Sequence, residues 1–325
     1  MGNNCSSTIQ SVIAPTKKEE KKEDYDCSFD VTKLSEEQKC KGREYNKQMD
    51  KNNLPYLNTI GLLPAFKENK EWNIYFHFTD WSVPINAIII NNLKNQFSNA
   101  LEQWLCKLKG KNGFPVEKIN VKIFGFVFNE GIQIDQSFYK NFGNYPIVTN
   151  WKEDTEQCPW ILKYKDKTLN NVNFYQKDFD FTKMTIIGNK NISGVNFSPK
   201  DWKLYDHPES ISYFQTKFWN GTKYNAFAQR HYLRIGGTVG NYSTGQLSKD
   251  KSHIILHEMG HCFFLDDFYD YKGSLKGRYN WESECGTLGP NDTIMFRAKK
   301  IQPLDHLMLE HVWTKQKELG EKVTN

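Results

Sequence analysis

Hydrophobic residues follow two patterns in this chain, a helical repeat and short continuous runs, and each pattern predicts one kind of element. After Pro84, apolar side chains recur every three or four residues, as they do on the buried face of a helix. The residues in this series are Ile90, Leu93, Phe97, Ala100, Trp104 and Leu108. Proline suits the first turn of a helix, and Gly110 and Gly113 end the pattern. We therefore predict a long helix that starts near Pro84.

Shorter apolar runs without the helical period predict strands before and after this helix. The predicted strands are residues 71–78, 119–128, 184–188 and 231–235. Two more helices are expected, one over residues 35–50 and one over residues 303–318. The segment 129–182, which is rich in Asn, Lys and Tyr, shows no pattern that assigns it. The mixture of strands and helices predicts an α+β fold.

Residues 1–24 differ from the rest and are predicted to be a disordered charged tail. Lysine and glutamate fill residues 17–24, so this stretch has nothing to bury, and the folded domain is expected over 25–325. The start fits the N-myristoylation pattern at Gly2, with Cys5 as a palmitoylation site. Two lipids would hold the chain at a membrane surface. The start lacks the basic and apolar regions of a signal peptide.

Composition narrows the class of partner. Hydrophobic residues make up 38% of the 325 residues and aromatic residues 14%, which is enough to build a core. The net charge of +5 is spread along the chain, with no basic block beside stacking aromatics, so nucleic acid binding has little support. No run approaches 18 apolar residues, and no transmembrane helix is expected. The 9 Trp and 16 Tyr raise sugar binding as a rival, but no repeat groups them on one face.

The segment His257-Glu258-Met-Gly-His261 carries the clearest chemistry. Residues four apart share one face of a helix, so two imidazoles at this spacing can bind one zinc ion. Glu258 lies beside the open position of the metal, where a carboxylate accepts the proton of zinc-bound water. With 8 His in the chain, the pattern arises by chance about 0.01 times. Ser248 or Ser252 can cap this helix, which we predict to be a zinc-binding helix.

The segment from His257 to Asp267 resembles the metzincin zinc peptidases. Their pattern is H-E-x-x-H-x-x-G-x-x-H, with Asp in the last place in the snapalysin-like branch. In this chain the last place is Asp267, and Asp267-Phe-Tyr269 is similar to the Asp-x-Tyr of snapalysin-like enzymes. The resemblance implies that His257, His261 and Asp267 are the zinc ligands. It also implies that Tyr269 steadies the oxyanion.

The resemblance extends beyond the histidine helix. Residues 292–296 are similar to the methionine turn of metzincins, and residues 303–309 resemble a stretch of secreted fungal and bacterial metallopeptidases. The implied fold is a zincin-like, two-lobed catalytic domain. Its upper lobe, about 25–262, has a mixed sheet with a long helix. The zinc-binding helix follows, and the lower lobe, about 263–325, has the Met-turn and the C-terminal helix.

One departure from the family pattern leaves the third ligand open. Phe264 stands where the family has glycine, and a positive φ at a helix end costs a bulky residue roughly 1–2 kcal/mol. The turn can therefore have another shape, and Asp266 is then the alternative to Asp267. Glu282 and Glu284 are further alternatives, as in zincins that take a glutamate from a later helix.

The cysteines favour an oxidising compartment. Apart from Cys5 there are six, which allow 15 connectivities. The expected pairs are Cys27 with Cys40, Cys262 with Cys285, and Cys106 with Cys158. A free thiol at Cys262 is the alternative. Disulfides and the habit of the family favour a secreted protein, with membrane anchoring through myristoylated Gly2 as the alternative.

The expected function is that of a zinc-dependent endopeptidase with one catalytic Zn²⁺ ion. Glu258 is the expected general base, and the partner is a peptide or protein substrate. In zincins an edge strand pairs with the bound peptide, and we assign this role to residues 226–241, where an ordinary buried strand is the alternative. The rival function is a zinc-braced protein- or glycan-binding module that has lost turnover.

Overall fold

The protein is described by a computed structural model that contains both helices and sheets. The described residues are 27, 30–53, 71–81, 83–114, 120–145, 147–151, 160–164, 167–169, 184–189, 202–203, 212–217, 227–229, 232–236, 240–241, 246–247, 252–268, 285, 289 and 291–323. Helices together with a largely parallel sheet confirm the predicted α+β class. The predicted charged tail, residues 1–24, lies outside the described residues.

The described residues contain five α-helices, and all but the third lie close to their predicted positions. They are α1 (Glu36–Asn53), α2 (Ala87–Leu105), α3 (Gln136–Phe142), α4 (Ser252–Cys262) and α5 (Pro303–Val323). A capping box opens α1, because Gln38 N donates to Ser35 Oγ at 3.1 Å and Ser35 N donates to Gln38 Oε1 at 3.0 Å. Helix α2 begins after Pro84 rather than at it, since the side chain of Asn86 caps the Ile89 N–H at 3.0 Å.

Twelve strands occur in the described residues. They are β1 (Glu71–Asp80), β2 (Asn120–Asn129), β3 (Ile147–Trp151), β4 (Trp160–Tyr164), β5 (Lys167–Leu169), β6 (Met184–Asn189), β7 (Trp202–Lys203), β8 (Ser212–Lys217), β9 (Phe227–Gln229), β10 (Tyr232–Gly236), β11 (Gly240–Asn241) and β12 (Gln246–Leu247). The four predicted strands correspond to β1, β2, β6 and β10. Elements β3, β4, β5 and α3 lie in the segment that the sequence pattern did not assign.

The main sheet has six strands in the order β3-β2-β1-β8-β10-β9. All neighbours in it are parallel except β9, which pairs antiparallel with β10 at one edge. Strands β4 to β7 form a second, antiparallel sheet in the order β5-β4-β6-β7, and β11 pairs with β12. Helix α4 packs against β9 and β10, and also against α2. The histidine segment therefore lies at the edge of the main sheet that ends in β9.

One hydrophobic cluster joins the sheet to the helices that surround the histidine segment. It contains the buried side chains of Phe76 and Phe126 from the sheet, Trp104 from α2, Met259 from α4 and Met308 from α5. Helix α1 packs against α5. At that contact a Cβ built on Gly42 would lie 2.8 Å from Leu307 Cδ2, so the backbone of α1 approaches α5 closely.

The described residues contain two disulfides, and neither is a predicted pair. Cys27 is bonded to Cys106 with a Cα–Cα distance of 5.5 Å, and Cys40 is bonded to Cys285 at 5.6 Å. The predicted pairing of Cys27 with Cys40 is wrong because α1 carries Cys40 away towards the segment that follows the histidine helix. The presence of disulfides, predicted from the even number of cysteines, is confirmed.

The predicted pairing of Cys262 with Cys285 is also wrong. Cys262 is a buried thiol at the end of α4, and its Sγ lies 3.9 Å from the Glu258 carbonyl oxygen inside the helix. Cys106 is bonded to Cys27, so it does not pair with Cys158, which lies outside the described residues. Among the described helices, none is long and apolar enough to cross a membrane.

Candidate metal centre

Helix α4 presents two histidines on one face and packs its other faces into the core. His257 and His261 are one turn apart, while Ile255 and Met259 are buried in the hydrophobic cluster. Trp104 Nε1 of α2 donates a hydrogen bond to the Leu256 carbonyl at 2.8 Å. The predicted helix, with its apolar face, is thus confirmed, and it begins at Ser252.

Backbone carbonyls fix the tautomer of both histidines. His257 Nδ1 lies 2.8 Å from the Ile294 carbonyl oxygen, and His261 Nδ1 lies 2.6 Å from the Leu265 carbonyl oxygen. A carbonyl oxygen accepts and cannot donate, so each Nδ1 carries the proton. Each neutral ring therefore presents the lone pair of Nε2 away from its support. Metal-binding histidines are commonly oriented by such a bond.

Asp267 brings a carboxylate oxygen to both Nε2 atoms. Asp267 Oδ1 lies 3.0 Å from His257 Nε2 and 3.3 Å from His261 Nε2. In the described part of the chain, these three residues form the one group of three metal-ligand side chains, with ligand atoms within 4.8 Å of one another. Two ligand atoms of a tetrahedral zinc ion are separated by roughly 3.3 Å, because each lies about 2.0–2.1 Å from the metal. The donor set fits such an ion.

Of the alternative third ligands, only Asp266 lies in the described residues. Asp266 is described, but its carboxylate does not belong to the three-residue group. Tyr269, Glu282 and Glu284 lie outside the described residues. Of the four carboxylates considered as third ligand, Asp267 is the one that the described structure brings to the histidines.

The three converging atoms create a demand for positive charge. With both protons on Nδ1, two imidazole lone pairs face a carboxylate oxygen, and such acceptors repel unless a cation lies among them. Protons can also supply this positive charge, and the pKa values of both histidines are raised for that reason. Burial lowers the pKa of His261, but the hydrogen bond and charge of Asp267 outweigh it and raise that pKa to about 9. The pKa of His257 is also raised, against burial, by Asp267.

The carboxyl of Asp267 shows the reciprocal effect. Burial acts to raise its pKa, yet the two imidazoles hold the pKa well below its usual range. A site that keeps its carboxylate ionised while buried is suited to a divalent cation.

Glu258 lies within the same helix and is buried, with 5% of its surface exposed. Burial raises the pKa of its carboxyl, while the charges of His261 and His257 oppose that rise. A carboxyl whose pKa is raised is better suited to accept and release a proton than an ordinary glutamate. The charges of His257 and His261 act on the Glu258 carboxyl, and Glu258 lies between these two residues in the sequence of the helix.

The turn after α4 has the backbone conformation that the family pattern demands, although its residue is not glycine. Phe264 has φ +67°, in the left-handed region. Leu265 N donates to the Gly260 carbonyl at 3.0 Å and Phe264 N donates to the His261 carbonyl at 3.0 Å, which is a Schellman motif. The alternative that phenylalanine reshapes the turn is therefore wrong.

The segment similar to a Met-turn packs beneath the histidine helix. Met295 is fully buried, and a Cβ built on Gly260 would collide with its Sδ. The Ile294 carbonyl in this segment supports His257. Phe268 N donates to the Met295 carbonyl at 3.0 Å, so the segment also contacts the chain next to Asp267.

Asp305 organises this turn and was missed in the sequence. Its Oδ2 accepts from Ile294 N at 2.9 Å and from Gln302 N at 2.7 Å, and its Oδ1 is hydrogen-bonded to the Thr293 hydroxyl. Burial raises the pKa of Asp305 to about 6, against these hydrogen bonds. An acidic residue at the third position of α5 is a capping signal that could have found the bond to Gln302.

Comparison of the chain with protein-family models, with curated proteins and with solved structures finds no match in any of the three. Residues and geometry alone therefore carry the functional assignment.

Proposed function

We propose that this chain is a zinc-dependent endopeptidase with His257, His261 and Asp267 as the metal ligands. The observation that carries the proposal is the convergence of two Nε2 atoms and one carboxylate oxygen beside the buried Glu258. Three protein ligands leave a fourth position of a tetrahedral ion open, which is typical of catalytic rather than structural zinc sites.

The chemistry divides between the metal and the protein. A zinc ion held by these residues would supply a Lewis acid that polarises the scissile carbonyl and acidifies water. Glu258 accepts the proton of the attacking water and returns it to the leaving amine. The Ile294 and Leu265 carbonyls hold both imidazoles in the tautomer that this requires. Tyr269 or a backbone donor assists the oxyanion.

The fold supports a zincin-like arrangement of the catalytic domain. A long helix, α2, packs on the sheet, and α4 packs against both α2 and the edge pair β9 and β10. Strand β9 is the edge strand of the assigned region 226–241, whereas β10 is paired on both sides. A peptide substrate can add to β9 by backbone hydrogen bonds, which makes the proposed binding mode β-augmentation.

The disulfides support a secreted protein. Disulfides persist in oxidising compartments and are rare in the cytosol, and the described residues contain two of them. Secretion is therefore the proposed location, with lipid anchoring at Gly2 as the alternative. Mass spectrometry of the native protein distinguishes the two, since an acyl group on Gly2 would contradict secretion.

The test combines metal content with proteolysis. We expect one zinc per chain in the wild type, lost in Asp267→Ala and retained in the adjacent control Asp266→Ala. Glu258→Gln is expected to keep the zinc and to lose hydrolysis of a denatured protein substrate by at least about 100-fold. Full hydrolysis in Glu258→Gln would overturn the mechanism. Zinc that binds normally without any hydrolysis in the wild type would favour the binding module.

A further inference from the structure

Helix α1, which lies far from the histidine segment in sequence, places a tyrosine against the turn that carries Asp267. Tyr45 is 1% exposed. Its hydroxyl donates to the Phe264 carbonyl oxygen at 2.7 Å and accepts from the Asp266 N–H at 3.0 Å. One side-chain oxygen thus joins the backbone of two residues between α4 and Asp267.

The other side of Asp267 is also fixed. Phe268 N donates to the Met295 carbonyl at 3.0 Å, and the ring of Phe268 stacks on Tyr45 with centroids 5.7 Å apart. Tyr45 therefore contacts the chain before Asp267 through its hydroxyl and the chain after it through its ring. The backbone N–H groups that flank Asp267 are both held by groups outside the turn.

Helix α1 is itself anchored to the same part of the protein. Cys40 is bonded to Cys285, and Gln38 Nε2 donates to Asp292 Oδ1 at 2.8 Å. Asp292 Oδ2 in turn accepts from Gly289 N at 2.6 Å, just before the segment that contains Met295. These contacts fix the position of α1, and therefore of Tyr45, relative to the turn.

We propose that Tyr45 is a positioning residue for Asp267, so that the metal affinity of the site depends on helix α1. The inference rests on the proposed metal site and deepens it. Phe264 occupies the left-handed region, which L side chains rarely adopt, and contacts from outside the turn add to the local hydrogen bonds that hold it. The hydroxyl of Tyr45 supplies such a contact. Without it the turn relaxes, and the Asp267 carboxylate leaves the two Nε2 atoms.

The test is Tyr45→Phe, which removes one oxygen and keeps the ring that stacks on Phe268. The control is Trp313→Phe on α5, which replaces the indole by a smaller ring and removes the partly buried N–H that donates to the Asn112 carbonyl at 3.2 Å. For each apo protein, zinc affinity is measured by competition with a chromogenic chelator. Melting temperatures are measured with and without zinc. The visible d–d spectrum of the cobalt-loaded protein reports the coordination geometry.

Tyr45→Phe is expected to weaken zinc binding by about 10- to 100-fold, as loss of outer-shell partners does. It should also shrink the zinc-induced rise in melting temperature and change the cobalt spectrum. Trp313→Phe is expected to lower the melting temperature of the apo protein while its zinc affinity stays within about twofold of wild type.

The opposite results separate two failures. If Tyr45→Phe lowers the melting temperature of the apo protein but leaves zinc affinity and the cobalt spectrum unchanged, Tyr45 has a merely structural role and the inference is overturned. If the wild type itself binds neither zinc nor cobalt, the proposed function is overturned, and the inference falls with it.

Discussion

The two histidines of the candidate site make the same kind of hydrogen bond, but to very different parts of the chain. His261 donates to the Leu265 carbonyl, 4 residues away, within the cap of its own helix. His257 donates to the Ile294 carbonyl, 37 residues away, in a turn that Asp305 of α5 holds. We call these the local support and the remote support.

The difference separates what one helix encodes from what requires the assembled fold. The local support forms when α4 ends in its Schellman motif, because Gly260, His261 and Leu265 are all part of that ending. The remote support needs α5 and the turn before it to be packed beneath α4. One imidazole is therefore oriented by local structure, and the other only after long-range packing is complete.

The largest expected effect comes from breaking the remote support with Asp305→Ala. The substitution leaves the buried N–H of Ile294 and the partly buried N–H of Gln302 without their acceptor, at roughly 1–3 kcal/mol each. We expect the free energy of unfolding to fall by about 3–5 kcal/mol in urea titrations. Glu310→Ala on the same helix is the control, with an expected loss below about 1 kcal/mol. Equal losses in the two variants would contradict the special role of Asp305.

The next effect is the pH dependence of the same support. The pKa of Asp305 is about 6 in the folded protein and ordinarily 3.8. The folded state therefore holds the proton more tightly, so this contribution to stability is fully present below pH 3.8 and is lost as pH rises through 6. The difference amounts to about 3 kcal/mol.

Asp305→Asn isolates this contribution, because an amide can donate to the Thr293 hydroxyl and accept from both N–H groups, as a protonated carboxyl would. The quantity to compare is the unfolding free energy of the wild type minus that of Asp305→Asn. We expect this difference to become more negative between about pH 4 and about pH 7, because only the wild type loses stability. A difference that becomes more positive over that range would show that the ionised carboxylate is the form that the fold prefers.

A smaller effect is expected where the two supports meet. A Cβ on Gly260 would collide with Met295 Sδ and lie 3.0 Å from Trp104 Cζ2. Gly260→Ala should therefore cost about 1–3 kcal/mol by overpacking, measured from thermal unfolding. Gly42→Ala is a matched helical control whose Cβ would come closest to leucine methyl groups, Leu307 Cδ2 at 2.8 Å and Leu304 Cδ1 at 3.3 Å, and we expect it to change stability by less than about 1 kcal/mol. If the two variants are equally stable, Met295 does not press on α4.

The smallest effect is expected at the contact between α5, which holds the remote support, and α1. His311 Nε2 of α5 lies 2.8 Å from Asp50 Oδ1 of α1, and both side chains are partly exposed. A double-mutant cycle with His311→Gln and Asp50→Asn should give a coupling below about 1 kcal/mol. A larger coupling would mean that this pair, rather than the buried contacts, joins α1 to α5.

Sequence pattern recovered those parts of the fold whose cause is local. Helix α2 and the histidine helix α4 follow from the spacing of their apolar residues, and the predicted start of α1 near Ser35 coincides with the capping box found in the structure. The candidate metal ligands were predictable for the same reason, since His257 and His261 share a helical face and Asp267 follows one short turn later.

The features that were missed have long-range causes. Cys40 is bonded to Cys285 across a separation of 245 residues, and no local pattern distinguishes that partner from the other cysteines. Tyr45 bonds to Phe264 across 219 residues, and nothing near Tyr45 in the sequence marks it. The glycine that the family pattern has at position 264 indicated a left-handed backbone conformation. The sequence could not show that tertiary contacts would sustain this conformation with phenylalanine.

The contacts of α1 have a consequence for the order in which the chain is made. The ribosome releases α1 early, yet Phe264, Asp266, Cys285 and Asp292, which α1 holds, are all synthesised more than 200 residues later. At about 5–20 residues per second, α1 waits roughly ten seconds or longer for these contacts. The proposed metal site is therefore completed only after the segment that contains Asp292 has been synthesised. A nascent chain that already displays both histidines lacks the turn that places Asp267.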